Sequence, residues 1–150
     1  MSPIELQQYL HDHIPLSKAM QVSAVAVSAE AVALSAPLGP NINHRDTVFG
    51  GSASALAILA AWSLLHVRLA RQGVPCRLVI QRNSMEYLAP VFGEFTATSS
   101  LHDPQSWGRQ LHMLERKGVA RFSVDSELLA AGAAAGRFAG EFVAMAVNAA

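Results

Sequence analysis

The residues best suited to chemistry lie in one stretch, Asn43–Ser52, where a polar cluster is followed by two glycines. The cluster contributes an amide, an imidazole and a carboxylate from Asn43, His44 and Asp46. The glycines open a long apolar run, which predicts the first turn of a helix, where backbone N–H groups have no intrahelical acceptor. Such N–H groups, at the positive end of the helix dipole, polarise a carbonyl oxygen and stabilise the oxyanion that develops on it.

Gly51 and Ser52 are our first choice for the two N–H donors. A glycine lets a ligand reach the backbone without a Cβ in the way, and Gly50 extends this open surface. Paired glycines also permit close packing of a helix against a strand, which is the alternative interpretation.

Hydrolysis at a carbonyl also needs a group that orients or deprotonates water. Asp46 is the carboxylate nearest to the predicted helix start, and His44 and Asn43 could orient water or hold the carbonyl. The alternative role for Asp46 or Thr47 is to cap the helix, and His44 could be no more than a solvated loop residue.

A second candidate group stands at the end of a predicted strand. Glu86 could take part in the site, or it could form a plain ion pair with Arg82, four residues earlier on the same face. We assign five residues to substrate binding: Thr47, Phe49, Gly50, Glu86 and Tyr87. The six histidines show no metal-ligand spacing and no dinucleotide motif is present, so we expect neither a metal nor a cofactor.

The elements that must position these residues begin with an amphipathic helix at Pro3–His13, capped by Ser2. Its predicted apolar side consists of Ile4, Leu6, Tyr9 and Leu10. Two short strands follow in Met20–Ala36, with Glu30 in the turn between them. The strongest element is a helix at Phe49–Arg71, which is apolar almost all round and should therefore be buried on most sides.

Everything after this helix is predicted to be β-structure. The predicted strands are Arg77–Leu88, Gly93–Leu101, Arg109–Arg116, Val119–Leu128 and a last edge strand at Arg137–Met145. Lys117-Gly118 is predicted to be a hairpin turn, and the Ala/Gly-rich residues 130–136 a flexible connector. One helix cannot cover both faces of such a sheet, so the sheet should wrap around the helix and pair its outer surface with another subunit.

Composition narrows the class of protein. The chain has 150 residues, which suits a single domain over residues 1–150. A net charge of zero argues against electrostatic recruitment to nucleic acid or an anionic membrane. The longest apolar stretch, residues 53–65, is shorter than the ~18 residues that a membrane span needs. The single cysteine, Cys76, allows no internal disulfide and is compatible with a cytoplasmic protein.

The element order and two motifs resemble the hot-dog superfamily. The motifs are Asn43-His44-Arg45-Asp46-Thr47-Val48-Phe49-Gly50-Gly51-Ser52 and Ser84-Met85-Glu86-Tyr87-Leu88-Ala89-Pro90-Val91. Within it, the chain resembles the thioesterase-like domain that follows an N-acetyltransferase domain in some bacterial proteins, and residues 136–142 fit that group. The resemblance implies an α+β hot-dog fold, in which a curved antiparallel sheet wraps around one long central helix.

The resemblance also implies hydrolysis of acyl-CoA or acyl-carrier-protein thioesters in fatty acid metabolism, by a homodimer or a dimer of dimers with its site between subunits. One departure matters: many hot-dog thioesterases carry an acid on the central helix where this chain has Ile58 and Leu59. Two alternatives therefore stay open, a non-catalytic acyl-thioester-binding module and a dehydratase or hydratase of hydroxyacyl thioesters.

Overall fold

The structure is a computed structural model that describes residues 1–147. Its helices are α1 (Pro3–His13), α2 (Pro15–Ala19), α3 (Gly50–Arg71) and α4 (Trp107–Lys117), with short 3₁₀ turns at Gly39–Asn41 and Pro104–Ser106. Its strands are β1 (Ser23–Val27), β2 (Ala31–Ala36), β3 (Cys76–Tyr87), β4 (Phe95–Leu101), β5 (Val119–Ala130) and β6 (Ala133–Ala146). The six strands form one antiparallel sheet in the order β1-β2-β4-β5-β6-β3, which curves around α3. The predicted hot-dog architecture is confirmed.

Helix α1 has the predicted bounds because local signals define both of its ends. The Ser2 hydroxyl accepts from the Glu5 N–H at 3.2 Å, and the Glu5 carboxylate accepts from the Ser2 N–H at 2.6 Å. Leu6 and Leu10 are fully buried. The assignment of Ile4 to the apolar side was wrong: it is 82% exposed, because two residues of separation from Leu6 turn it about 200° around the helix.

The long helix α3 is the centre of the core, as predicted. Ala57 and Ala60 are fully buried, and their small side chains let the sheet come close. The Ser126 hydroxyl on β5 donates to the Ala57 carbonyl at 2.9 Å, and the Ser99 hydroxyl on β4 donates to the Ala60 carbonyl at 2.8 Å. These two bonds fix the rotation and height of α3 relative to the sheet, and thus the position of its first turn.

The length and hydropathy of α3 meet the criteria for a membrane span, contrary to our expectation from the sequence. Its most apolar 18-residue window has a mean hydropathy of 1.6. However, 61% of that window is buried inside the fold, which is the behaviour of a core helix. Burial by the sheet therefore accounts for its apolar surface.

The last hairpin corrects two predictions. Residues 130–136 do not form a flexible connector, because β5 and β6 are joined by a two-residue turn at Ala131-Gly132, both with positive φ. Strand β6 is not an edge strand either, since it lies between β5 and β3. Phe138 and Phe142 do share the buried face of β6, as predicted. The edge of the sheet on this side is the 12-residue strand β3.

Helix α4 was wrongly predicted as a strand over Arg109–Arg116. Trp107, Leu111 and Leu114 lie at positions i, i+4 and i+7, and this helical stripe packs toward the core. Gly118 is therefore not in a hairpin turn. It ends the helix with φ +77°, and its N–H donates to the Leu114 carbonyl at 2.9 Å.

Candidate functional site

The first turn of α3 has two backbone N–H groups without an acceptor. Phe49 is the N-cap residue, and its carbonyl accepts from the N–H groups of Ser52 at 2.9 Å and Ala53 at 3.1 Å. Within residues 1–147, no acceptor lies within hydrogen-bond reach of the Gly50 or Gly51 N–H. The two available donors are therefore the N–H groups of Gly50 and Gly51, and not those of the predicted pair, Gly51 and Ser52.

Two aromatic rings lie against these glycines. The Tyr87 hydroxyl donates to the Gly50 carbonyl at 3.2 Å, and a Cβ on Gly50 would lie 3.4 Å from Cε1 of the Tyr87 ring. A Cβ on Gly51 would lie only 2.3 Å from Cε2 of Phe49. The structure therefore brings Phe49, Gly50, Gly51 and Tyr87 together at one end of the central helix, and the lack of a Cβ on Gly51 makes the close approach of Phe49 possible.

An apolar cavity of about 340 Å³ adjoins this turn. Its walls come from the helix start, from the segment that follows β3, and from the β5–β6 hairpin. The lining residues are Val48, Gly50, Ala53, Tyr87, Leu88, Ala89, Pro90, Val91, Leu128 and Ala135. Tyr87 is the one residue among them with a titratable side chain, so the cavity suits an uncharged, hydrophobic group.

The loop before the helix is organised by Asn43. Its Oδ1 accepts from the backbone N–H groups of Arg45 at 2.8 Å and Thr47 at 3.1 Å, and its Nδ2 donates to the Thr47 hydroxyl at 2.9 Å. These bonds hold a tight loop closed by a bridge between Ile42 and Val48. The Asn43 side chain is thus committed to loop structure.

The other two polar candidates stand at the exposed tip of this loop. His44 and Asp46 are both exposed, and Asp46 adopts a left-handed backbone with φ +62°. Neither Asp46 nor Thr47 caps α3, so the capping alternative was wrong. His44 and Asp46 are therefore available only as solvated groups near the helix start.

Asn41 was not predicted from the sequence, and it anchors the first turn of α3 from the protein interior. Its side chain is almost fully buried, and Nδ2 donates to the carbonyls of Met20 at 3.0 Å and Pro37 at 2.8 Å. Its own carbonyl accepts from the Phe49 N–H at 2.8 Å. In the sequence this residue looks like one more turn former in Gly39-Pro40-Asn41, and nothing local signals its burial.

These features can be compared with known proteins. A family model described as "Putative thioesterase (yiiD_Cterm)" matches residues 4–146. The chain belongs to this family.

Solved structures agree with the family assignment. This thioesterase-family chain is 27% identical to a protein of unknown function from Chlorobaculum tepidum, with 96% of each chain covered and a TM-score of 0.90. It is also 27% identical to a "putative thioesterase" from Shewanella oneidensis, covering 95% of this chain and 96% of the other, with a TM-score of 0.86. A "probable thioesterase" from Pseudomonas aeruginosa, at 18% identity, 97% coverage of each chain and a TM-score of 0.81, shares the fold.

Within this family fold, Glu86 is separated from the other candidates. It lies opposite Arg137 on β6 and lines a cavity on the outer face of the sheet. The next residue, Tyr87, points to the helix side, because successive side chains of a strand alternate between faces. The expected pairing of Glu86 with Arg82 was wrong, since Arg82 Nε lies 3.5 Å from Glu141 Oε2 instead.

The helix start of this thioesterase-family chain is surrounded by exposed hydrophobic side chains. Tyr87 is 58% exposed, Phe49 57% and Phe92 72%. Ile42 and Leu88 extend the patch. A patch of this kind typically marks a ligand site or a contact with another chain.

Proposed function

We propose that the protein hydrolyses acyl thioesters of coenzyme A or acyl carrier protein at the start of α3. The observation that carries the proposal is the pair of unpartnered N–H groups at Gly50 and Gly51 beside an apolar cavity. The family membership agrees with this chemistry. In this arrangement the acyl chain occupies the cavity and the thioester carbonyl oxygen accepts from one or both N–H groups.

The reaction that follows needs only water. Attack of water on the polarised carbonyl carbon gives a tetrahedral intermediate, whose oxyanion is stabilised by the two N–H groups and the helix dipole. Collapse of the intermediate breaks the C–S bond, the thiolate leaves and takes up a proton, and the acyl group departs as a carboxylic acid. A water-activating group must accept a proton during the attack.

The source of that group is constrained by α3 itself. The helix has no carboxylate, and Ile58 and Leu59 occupy the positions where many hot-dog thioesterases carry one. The groups closest in the chain are His44 and Asp46 of the preceding loop. The other source is a partner subunit, and the sheet edge formed by β3 supports the presence of such a partner.

We also propose that two copies pair through β3. This strand offers 12 residues at the sheet edge with no strand of residues 1–147 on its outer side, and such an edge favours pairing with another chain. It ends at Tyr87, beside the exposed apolar patch, so a second copy would complete the site. Light scattering coupled to size exclusion should give at least twice the chain mass of 16.0 kDa. A monomer at assay concentration would contradict the pairing.

The activity is tested with a panel of acyl-CoAs of increasing chain length and with aryl-CoAs, following release of free thiol. Turnover above the uncatalysed rate is expected for at least one acyl group. Gly51→Val should suppress it, because the added side chain collides with the Phe49 ring and displaces that ring toward the carbonyl position. A matched control is Gly108→Val, at a helical glycine with open space around its Cβ. Absence of thiol release with every substrate would remove the proposal.

A second function is favoured by the absence of acidic residues from the cavity lining. An acyl-thioester-binding module would use the same N–H groups and the same cavity without activating water. Calorimetry with acyl-CoA separates the two functions, since tight binding with no thiol release supports the module and turnover supports the enzyme.

A further inference from the structure

The apolar cavity at the start of α3 has an open mouth and a closed inner end. At the mouth, Tyr87 is 58% exposed and Leu88 is 45% exposed. The inner end is formed by Ala53, Leu128 and Ala135, each of which exposes 5% or less of its surface. A chain that enters past Tyr87 therefore ends against these three side chains. All three belong to one copy of the chain, so a second copy paired at β3 would border only the mouth.

A β-bulge places Ala135 at this inner end. Leu128 on β5 pairs with Gly136, and Ala135 is left without a partner on β5 because the register shifts just after Leu128. In a bulge of this kind, two residues of one strand lie opposite one residue of the other. Ala135 is accordingly buried in the core, on the same side of the sheet as Leu128. Regular alternation from the exposed Arg137 would instead place it on the outer face of the sheet.

The same bulge holds the segment that follows β3, which forms one wall of the cavity. The Ala135 carbonyl is not used in the β5–β6 ladder, and it accepts from the N–H groups of Leu88 at 2.9 Å and Ala89 at 3.4 Å. At the other end of the segment, the Val91 carbonyl accepts from the Val48 N–H at 2.9 Å. The wall is therefore fixed at both ends, and the space between it and α3 has a defined size.

Small side chains account for the length of this space. Ala53 stands three residues after Gly50, so the two are neighbours on the surface of α3. A chain whose carbonyl is held at the helix start therefore passes Ala53 as it runs inward. Ala53 and Ala135 each contribute only a methyl group to the walls. At about 30 Å³ for each water-sized group, the volume of about 340 Å³ accommodates on the order of ten methylene-sized groups.

We propose that the site takes aliphatic acyl groups of up to about ten carbons, and that Ala53 and Ala135 set this upper limit. The inference rests on the proposed function, because it assigns the acyl chain to the same cavity. Burial of each further methylene strengthens binding by about fourfold. Affinity should therefore rise with chain length until the chain reaches the inner end, and it should level off beyond that length.

The probes are S-alkyl-CoA thioethers with chains from butyl to tetradecyl, titrated by calorimetry. A thioether has no carbonyl to hydrolyse, so its affinity reports on the cavity separately from turnover. For the wild type, affinity should level off at about ten carbons. Ala135→Leu adds three carbon atoms to the inner end and should move this point to about seven carbons. Ala134→Leu, the same substitution at the exposed neighbour outside the cavity, should leave it unchanged.

A second variant tests the limit from the helix side of the cavity. Ala53→Val adds two carbon atoms and should move the levelling point to about eight carbons. Because it leaves the bulge at Ala135 untouched, it keeps the test valid if Ala135→Leu does not fold. Circular dichroism checks the fold of each variant before titration.

Three outcomes overturn the inference. One is affinity that keeps rising through tetradecyl, another is affinity that does not depend on chain length, and the third is an unchanged levelling point in the folded variants. The test of hydrolysis is separate. A levelling point without thiol release from acyl-CoA would remove the hydrolysis and keep the acyl cavity, whereas thiol release without a levelling point would remove only the limit on chain length.

Discussion

The ring of Phe49 lies over the backbone of Gly51, so that a Cβ on Gly51 would sit 2.3 Å from Cε2 of that ring. The ring is 57% exposed and belongs to the N-cap residue of α3, so it can turn aside at the cost of a modest rearrangement. The same ring therefore lies beside Gly51, next to the place where a carbonyl would bind.

Gly51→Ala should lower kcat/KM by about tenfold or more, which corresponds to ~1.4 kcal/mol of lost transition-state stabilisation. The added methyl displaces the Phe49 ring into the carbonyl position. Stability should change little, because alanine is favoured over glycine in a helix. Steady-state kinetics on an acyl-CoA substrate and urea unfolding measure the two effects separately.

The double variant Phe49→Ala/Gly51→Ala tests that explanation. If the displaced ring is what blocks the site, removing it should restore part of the activity lost in Gly51→Ala. Phe49→Ala alone gives the baseline. Equal activity of Gly51→Ala and the wild type would show that the start of α3 is not the reaction site.

Tyr87→Phe should reduce kcat/KM by several-fold, within the ~0.5–1.5 kcal/mol typical of one hydrogen bond. The Tyr87 hydroxyl donates to the Gly50 carbonyl, and this bond orients the first peptide of the helix. The ring stays in place, so KM should change less than kcat. Tyr9→Phe, far from the helix start, is the matched control, and an equal loss in both variants would contradict a positioning role for Tyr87.

Local signals explain which elements could be predicted from sequence. Helices α1 and α3 were predicted to within one residue because a cap, a proline or a glycine marks their ends. Helix α4 was missed although its apolar residues repeat at helical spacing, because Lys117-Gly118 fits a hairpin turn equally well. Only the tertiary context, in which Leu114 packs into the core, decides between the two.

The parts of the site made by residues adjacent in the sequence could be predicted. The parts made by contacts between residues far apart in the sequence could not. The glycine pair and its neighbour Phe49 are adjacent in sequence. Asn41 donates to the carbonyl of Met20, 21 residues earlier, and the side chain of Glu86 lies on the face of β3 that points away from the helix start. Contacts of this kind arise only when the sheet closes around the helix.

Asn41→Ala should destabilise the protein by ~1–3 kcal/mol, because the carbonyls of Met20 and Pro37 lose their donor in a buried place. Activity should fall as well, because loss of the two side-chain bonds loosens the Asn41 backbone, whose carbonyl accepts from the Phe49 N–H at the start of α3. Denaturant unfolding and kinetics on the same preparation measure both. Asn83→Ala, at an exposed asparagine, should change neither stability nor activity. An Asn41→Ala protein with unchanged stability and activity would show that Asn41 does not anchor the start of α3.

Protonation of His102 should be coupled to Asp125. The hydrogen bond from His102 Nδ1 to Asp125 Oδ2, 2.8 Å long, and the charge of that carboxylate raise the pKa of His102 above its ordinary 6.5. A raised folded-state pKa gives stabilisation that is complete below pH 6.5 and is lost as the pH rises through the folded-state value. In an NMR titration, Asp125→Asn should lower the pKa of His102 more than Asp103→Asn does. Equal shifts would show that the pair does not form in solution.

Ala57→Trp should abolish folding, because Ala57 has no exposed surface and β5 lies directly over it. Ala70→Trp, at an exposed position of the same helix, should give a soluble and folded protein. Ser126→Ala removes only the hydroxyl that donates to the Ala57 carbonyl and should cost ~0.5–1.5 kcal/mol while the fold is kept. Soluble expression, circular dichroism and urea unfolding rank the three variants. A folded, active Ala57→Trp protein would mean that the sheet does not close over this face of α3, and the first turn would then lack the support that aims its N–H groups.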